Sequence, residues 1–129
     1  MPNLSTYAKG ELIKHYFRTG ATTKPTAIYI ALFVGAVEVT GGGYARVAYG
    51  PSDTTWTDQT AGNGRTSNIG DIIFPAPSAA WGLISGFKIM DAAIGGNILV
   101  SGNLAAAKTV NATDPAPTFP AGTLVGIFA

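Results

Sequence analysis

"WGLISGFKIMDAAIGGNILVSGNL", Trp81 to Leu104, is the stretch that decides the fold. Two strand-like runs, "WGLISGFKIMD" and "ILVSGNL", flank the short connection "AAIGGN", whose paired glycines make it the best hairpin signal in the chain. In the first run Trp81, Leu83, Phe87 and Ile89 fall on one face, interrupted by Ser85. Upstream, "AIYIALFV" (Ala27–Val34) is apolar on both alternating sets, Ile28, Ile30 and Leu32 on one side and Tyr29, Ala31 and Phe33 on the other. A strand of that kind is covered on both faces.

The remaining strand candidates are "YARVAY" (Tyr44–Tyr49), "NIGDIIFP" (Asn68–Pro75), "KTVN" and "TLVGIFA". The proline-rich "DPAPTFP" before the last of these reads as an edge or loop, because proline cannot donate to a ladder. Short strands with turns at ~8–12-residue intervals and no βαβ alternation predict a mainly β protein, an antiparallel sandwich or a jelly-roll-like barrel. The segment Gly50–Asn68 is long and polar with one tryptophan, Trp56, and reads as a surface loop or flap.

One helix precedes the strands. In "STYAKGELIKHYFR", residues 5–18, Ser5 can cap free N–H groups and Gly20 can end the last turn. Tyr7 or Ala8 with Leu12 and Tyr16, and Ile13 with Phe17, recur at helical spacing as an amphipathic stripe. That stripe is expected to dock on the β body or on a neighbouring subunit. Gly10 either weakens the helix or marks a close packing contact. The linker "TGATTKPT" leads to a β body over about residues 26–129, so the 129 residues read as one domain.

Composition narrows the function classes. Lys and Arg total 8 against 7 Asp and Glu, a formal charge of +1 with no basic run, which disfavours nucleic acid as a partner. No apolar run approaches the ~18 residues of a membrane span, and "MPNLSTYAKG" lacks the order of a secretion signal, so synthesis in a cytoplasm is expected. The absence of cysteine removes disulfides, thiolate metal sites and cysteine nucleophiles. With 12% charged against 47% apolar residues, part of the surface is expected to be covered by partners, and a symmetric oligomer, a homotrimer, is predicted.

Tests for chemistry fail. Gly41–Gly43 in "VTGGGYARVAYG" lack the lysine and the following helix of a phosphate-binding loop, and "GNGRTS" (Gly62–Ser67) lacks them too. His15, the only histidine, has Glu11 four residues before it, a spacing ordinary for a surface helix pair. Asp53, Asp58, Asp71, Asp91 and Asp114 are scattered, and "SDTTWTD" does not fit a calcium loop. Trp56 reads either as a sugar-stacking ring or as an anchor for its flap. No catalytic residue, cofactor or metal is predicted.

The order of "PTAIYIALFV", "EVTGGGYARVAYG", "FPAPSAAWGLISGFKIMDAAIGGNILVSGNL" and "FPAGTL" behind an amphipathic helix resembles a family of small tailed-bacteriophage proteins, over Leu4 to Leu124. These are labelled tail fibre proteins, and related small proteins decorate heads. The resemblance implies a virion structural protein without catalytic residues, in which Gly41–Gly43 bend the chain into the Tyr44 strand. Extended repeats and coiled-coil heptads are absent, which points to an external capsid decoration (cement) protein bound to the major capsid protein. The alternative is a tail fibre or tail-tip subunit, among tail proteins, that binds a host surface glycan. The expected interface residues are Leu12, Ile13, Tyr16, Phe17 and Trp56.

Overall fold

The computed structural model describes residues 3–127. Its strands are β1 (Asn3–Leu4), β2 (Tyr29–Val34), β3 (Val37–Glu38), β4 (Val47–Ala48), β5 (Arg65–Ser67), β6 (Ile72–Ile73), β7 (Gly82–Met90), β8 (Ile98–Val110), β9 (Thr118–Phe119) and β10 (Val125–Ile127), with helix α1 at Thr6–Phe17. Six strands form one antiparallel sheet in the order β1-β8-β7-β2-β3, with β4 beside β3 on the outer edge of β2. Two antiparallel ribbons, β5 with β10 and β6 with β9, complete an uneven sandwich. The C-terminal strand expected in "TLVGIFA" is β10, and its Phe128 and Ala129 lie outside the described residues.

The predicted hairpin is the spine of the sheet. Its connection is built by Asp91, whose carboxylate accepts from the Asn97 amide at 2.6 Å and from the Asn97 side chain at 3.0 Å. Gly96 stands at φ +79°, and a Cβ there would lie 2.5 Å from Asp91 Oδ1. "ILVSGNL" and "KTVN", expected as separate strands, form one continuous β8. The structure also corrects the predicted face of β7. Gly86 pairs with Asn103 but Ile84 pairs with Lys108, so Ser85 alone opposes the stretch 104–107. A bulge reverses which alternate residues face inward. Ile84, Phe87 and Ile89 are buried, whereas Leu83 is 52% exposed.

The inner face of the sheet, with Ile30, Leu32, Phe87, Ile89 and Val100, closes on Ile72, Phe74 and Leu124 from the ribbon side. On the outer face Ala31, Phe33, Met90 and Ile98 cluster, and the Lys88 ammonium sits 4.3 Å over the Phe33 ring. The both-face burial expected of β2 is therefore reached within one chain.

The glycine run is an approach between backbones. A Cβ on Gly42 would lie 2.6 Å from Ser78 Oγ, and one on Gly43, at φ +81°, 2.7 Å from the Ala76 carbonyl. The Gly42 carbonyl accepts from the Ser78 amide and from Trp81 Nε1 at 3.0 and 2.9 Å. The bend then delivers the Tyr44 hydroxyl to the Leu32 amide at 3.0 Å, filling the gap in the ladder between β3 and β4.

The helix starts where expected: Ser5 Oγ accepts from the Ala8 amide at 3.0 Å. It stops earlier. Arg18 is the C-cap, with extended backbone angles, so Gly20 has no part in the termination. Nothing lies within 4 Å of a Cβ built on Gly10, which rules out the close contact considered for it. No residue of α1 is buried.

Candidate binding groove

An open groove of about 1100 Å³ lies between α1, the linker after it, the 51–58 loop and the β8 side of the sheet. Leu99 and Val100 of β8 form part of its floor with Ile28 and Ile89. Tyr7, Glu11, Leu12 and His15 line it from the helix, Thr22–Pro25 from the linker, and Asp53, Trp56 and Asp58 from the loop. The lining holds the carboxylates of Glu11, Asp53 and Asp58 together with Lys24 and His15, over an apolar floor.

Trp56 is held by its own loop. Its Nε1 donates to the Tyr49 carbonyl at 2.8 Å, and its ring meets Tyr49 edge to face at 5.5 Å. Gly50, at φ +87°, leaves room for the indole, since a Cβ there would lie 2.7 Å from Nε1. Trp56 also bridges to Asn68, and the Thr57 amide donates to the Ser67 carbonyl at 3.0 Å. The long polar segment is thus partly laddered, and it includes β5, which hydrophobic patterning missed because "RTS" has no apolar residue. Trp56 anchors its loop and still lines the groove.

The helical stripe is not seated on the body. Ile13, Tyr16 and Phe17 are 54, 72 and 84% exposed, and Leu12, at the groove wall, is 41% exposed. The half-buried residues of α1 are Ala8, Gly10 and Glu11, the rest being exposed. Glu11 pairs with Lys14 at 3.1 Å, and His15 Nδ1 lies 3.4 Å from Thr22 Oγ1, so the i, i+4 pair expected of His15 and Glu11 is replaced by an i, i+3 pair.

Three further aspartates accept from backbone amides, two of them within local turns and Asp71 across the fold. Asp58 accepts from the Gln59 amide, Asp71 from Ala121 and Asp114 from Asn111, at 2.8, 2.9 and 2.8 Å. Among the described residues, no three His, Asp or Glu side chains gather in a metal-holding group. The strongest electrostatic cluster lies elsewhere. Arg46 grips both oxygens of Glu38 at 2.8 Å, the Tyr44 hydroxyl donates to Glu38 at 2.7 Å, and Arg46 Nη1 donates to the Ala92 and Gly95 carbonyls. Hydrogen bonds from Arg46 hold the Glu38 carboxyl below its ordinary range against the opposing effect of burial. Burial pushes the Tyr44 hydroxyl up. Every charged atom here faces a partner from the same chain, so the cluster clasps β3, β4 and the hairpin connection together.

The chain is thus a cysteine-free antiparallel sandwich whose polar groups fasten its own loops, with an unburied helix beside an open groove. Residues 3–126 match the family described as podophage GP4 fiber I protein gp80. The match spans nearly the whole chain, and the protein belongs to that family of bacteriophage fibre proteins, components of the virion. A search of curated proteins finds no match.

Proposed function

We propose that the chain is a non-catalytic subunit of a podophage tail fibre, and that its groove contacts a saccharide of the host surface. The observation that carries the second half is the groove itself. It sets two aromatic rings, Trp56 and Tyr7, beside carboxylates and the hydroxyls of Thr22, Thr23 and Ser52. Rings of this kind present an apolar face and a polar edge to a sugar's mixed surface. Carboxylates accept hydrogen bonds from sugar hydroxyls at roughly twice the strength of neutral acceptors. The family match supports the fibre reading over capsid decoration, which rested on compactness and the lack of repeats.

The test is binding of purified protein to host surface polysaccharide, together with gold labelling of intact particles. Tyr7→Ala and Asp53→Asn, which leave Trp56 and its anchoring bonds in place, are expected to weaken binding tenfold or more while labelling stays on the tail. Label on the capsid lattice, or unchanged binding by both variants, would sink the corresponding half.

A further inference from the structure

Residues 3–18 are an arm. They reach the body through the two-residue ladder of β1, through Leu4, which packs half-buried against the core, through the Ser5 amide on the Leu99 carbonyl at 2.9 Å, and through the Ser5 hydroxyl on the Ile98 carbonyl. Those bonds engage backbone carbonyls of β8 and need no particular helix side chain. The helix that follows buries none of its residues, and an open groove separates much of it from the sheet. Behind it, Thr19–Thr26 contains no helix or strand and is exposed apart from the half-buried Thr22 and Pro25. Its eight residues span up to ~26 Å when extended. A body of this length has a radius of gyration of only ~14 Å. Pro25 favours extension of the residue before it.

We propose that this arm is exchanged: β1 and Ser5 of one copy seat on β8 of a second copy of the same chain. Exchange of an identical element keeps every contact of the closed form. It adds cover that the closed form lacks, because an arm crossing between two bodies brings the exposed face of α1, with Ile13, Tyr16 and Phe17, against a second surface. The same geometry makes the groove composite, its Tyr7, Glu11 and His15 supplied by the neighbour. The assembly claim is independent of what the groove binds.

The register supplies the test. Leu4 pairs with Val100, and the Ser5–Leu99 hydrogen bond makes Leu4–Val100 the closer, non-hydrogen-bonded pair, a spacing that a disulfide spans. The chain has no cysteine to interfere. Leu4→Cys and Val100→Cys, made in separately tagged chains, co-expressed and oxidised, are expected to give a covalent heterodimer carrying both tags as the main cross-linked product. The double variant Leu4→Cys/Val100→Cys is expected to give a ladder that stops at the size of the closed oligomer. A double variant that closes only within one chain, with no heterodimer from the mixed chains, overturns the exchange. Thiols that stay reduced, or Leu4→Cys homodimers as the main product, overturn the seat on β8. Asn3→Cys with Ser101→Cys, the adjoining register pair, repeats the experiment without touching the core residue Val100 and must agree.

Discussion

Asn68 is a polar side chain only 1% exposed, and its position explains how the two ribbons are held. Its amide nitrogen donates to the carbonyls of Gly70, at 2.8 Å, and Pro120, at 3.0 Å, while its Oδ1 accepts from the Leu124 amide at 2.9 Å. Removing it leaves the buried Leu124 amide without its partner, while the Gly70 and Pro120 carbonyls keep bonds from Tyr49 and Thr123, so Asn68→Leu is expected to cost ~1–3 kcal/mol in denaturant unfolding. Asn68→Asp should cost more, because it turns a donor facing the carbonyls of Gly70, Phe119 and Pro120 into an acceptor. Glu38 predicts a pH effect. Its carboxyl is held below its ordinary value of 4.5 in the folded state, so below that value the unfolded chain binds the proton more readily. The stabilisation is therefore full above about pH 5 and lost as pH falls through the lowered folded value. A comparison of unfolding midpoints at neutral and acid pH should show a smaller drop in Glu38→Gln than in the unsubstituted protein. At Gly43, alanine meets both a positive φ and the Ala76 carbonyl, and a loss of ~1–3 kcal/mol is expected.

At the scale of elements, α1 and β7 contrast in where their apolar residues go. Both carry apolar residues at the period of their structure, but β7 lies between β2 and β8 while α1 lies at the edge with no layer over it. Phe87→Ala is expected to cost ~3–5 kcal/mol, as truncation of a buried aromatic does. Tyr16→Ala and Phe17→Ala should move the stability of the dilute chain by less than ~0.5 kcal/mol, as exposed substitutions usually do. Had Leu12 been fully buried, its truncation would cost ~2–5 kcal/mol; its observed exposure sets the expectation well below that. Denaturation of the four variants checks the order, and a Phe17→Ala loss as large as that of Phe87→Ala would place the helix in the core.

For the molecule as a whole, low charge and apolar surface point to assembly, but the structure moves the reason. The outer face of β2 is covered within the chain, and the most contiguous exposed apolar set is the outer side of α1, beside scattered residues of the body such as Val37, Ile73, Leu83 and Ile94. The predicted homotrimer rests on that face. Light scattering of the unsubstituted protein against Phe17→Glu is expected to show an oligomer in the first and a smaller species in the second, with the same thermal midpoint at high dilution. What the sequence determined by itself was local or periodic: the hairpin around Gly95 and Gly96, the Ser5 cap, the two-sided β2 and the bend at Gly41–Gly43. These follow from backbone conformation and side-chain alternation, which neighbours along the chain specify. Only the tertiary structure decided the inward face of β7, the ladder of the polar "RTS", the grip of Asn68 and the groove beside Trp56. Each depends on residues tens of positions apart: Leu104–Ala107 against Ser85, β10 against β5, Leu124 against Asn68, α1 against the 51–58 loop. A bulge changes register through its partner strand, and a buried asparagine is told from a loop asparagine only by the carbonyls that the fold brings to it.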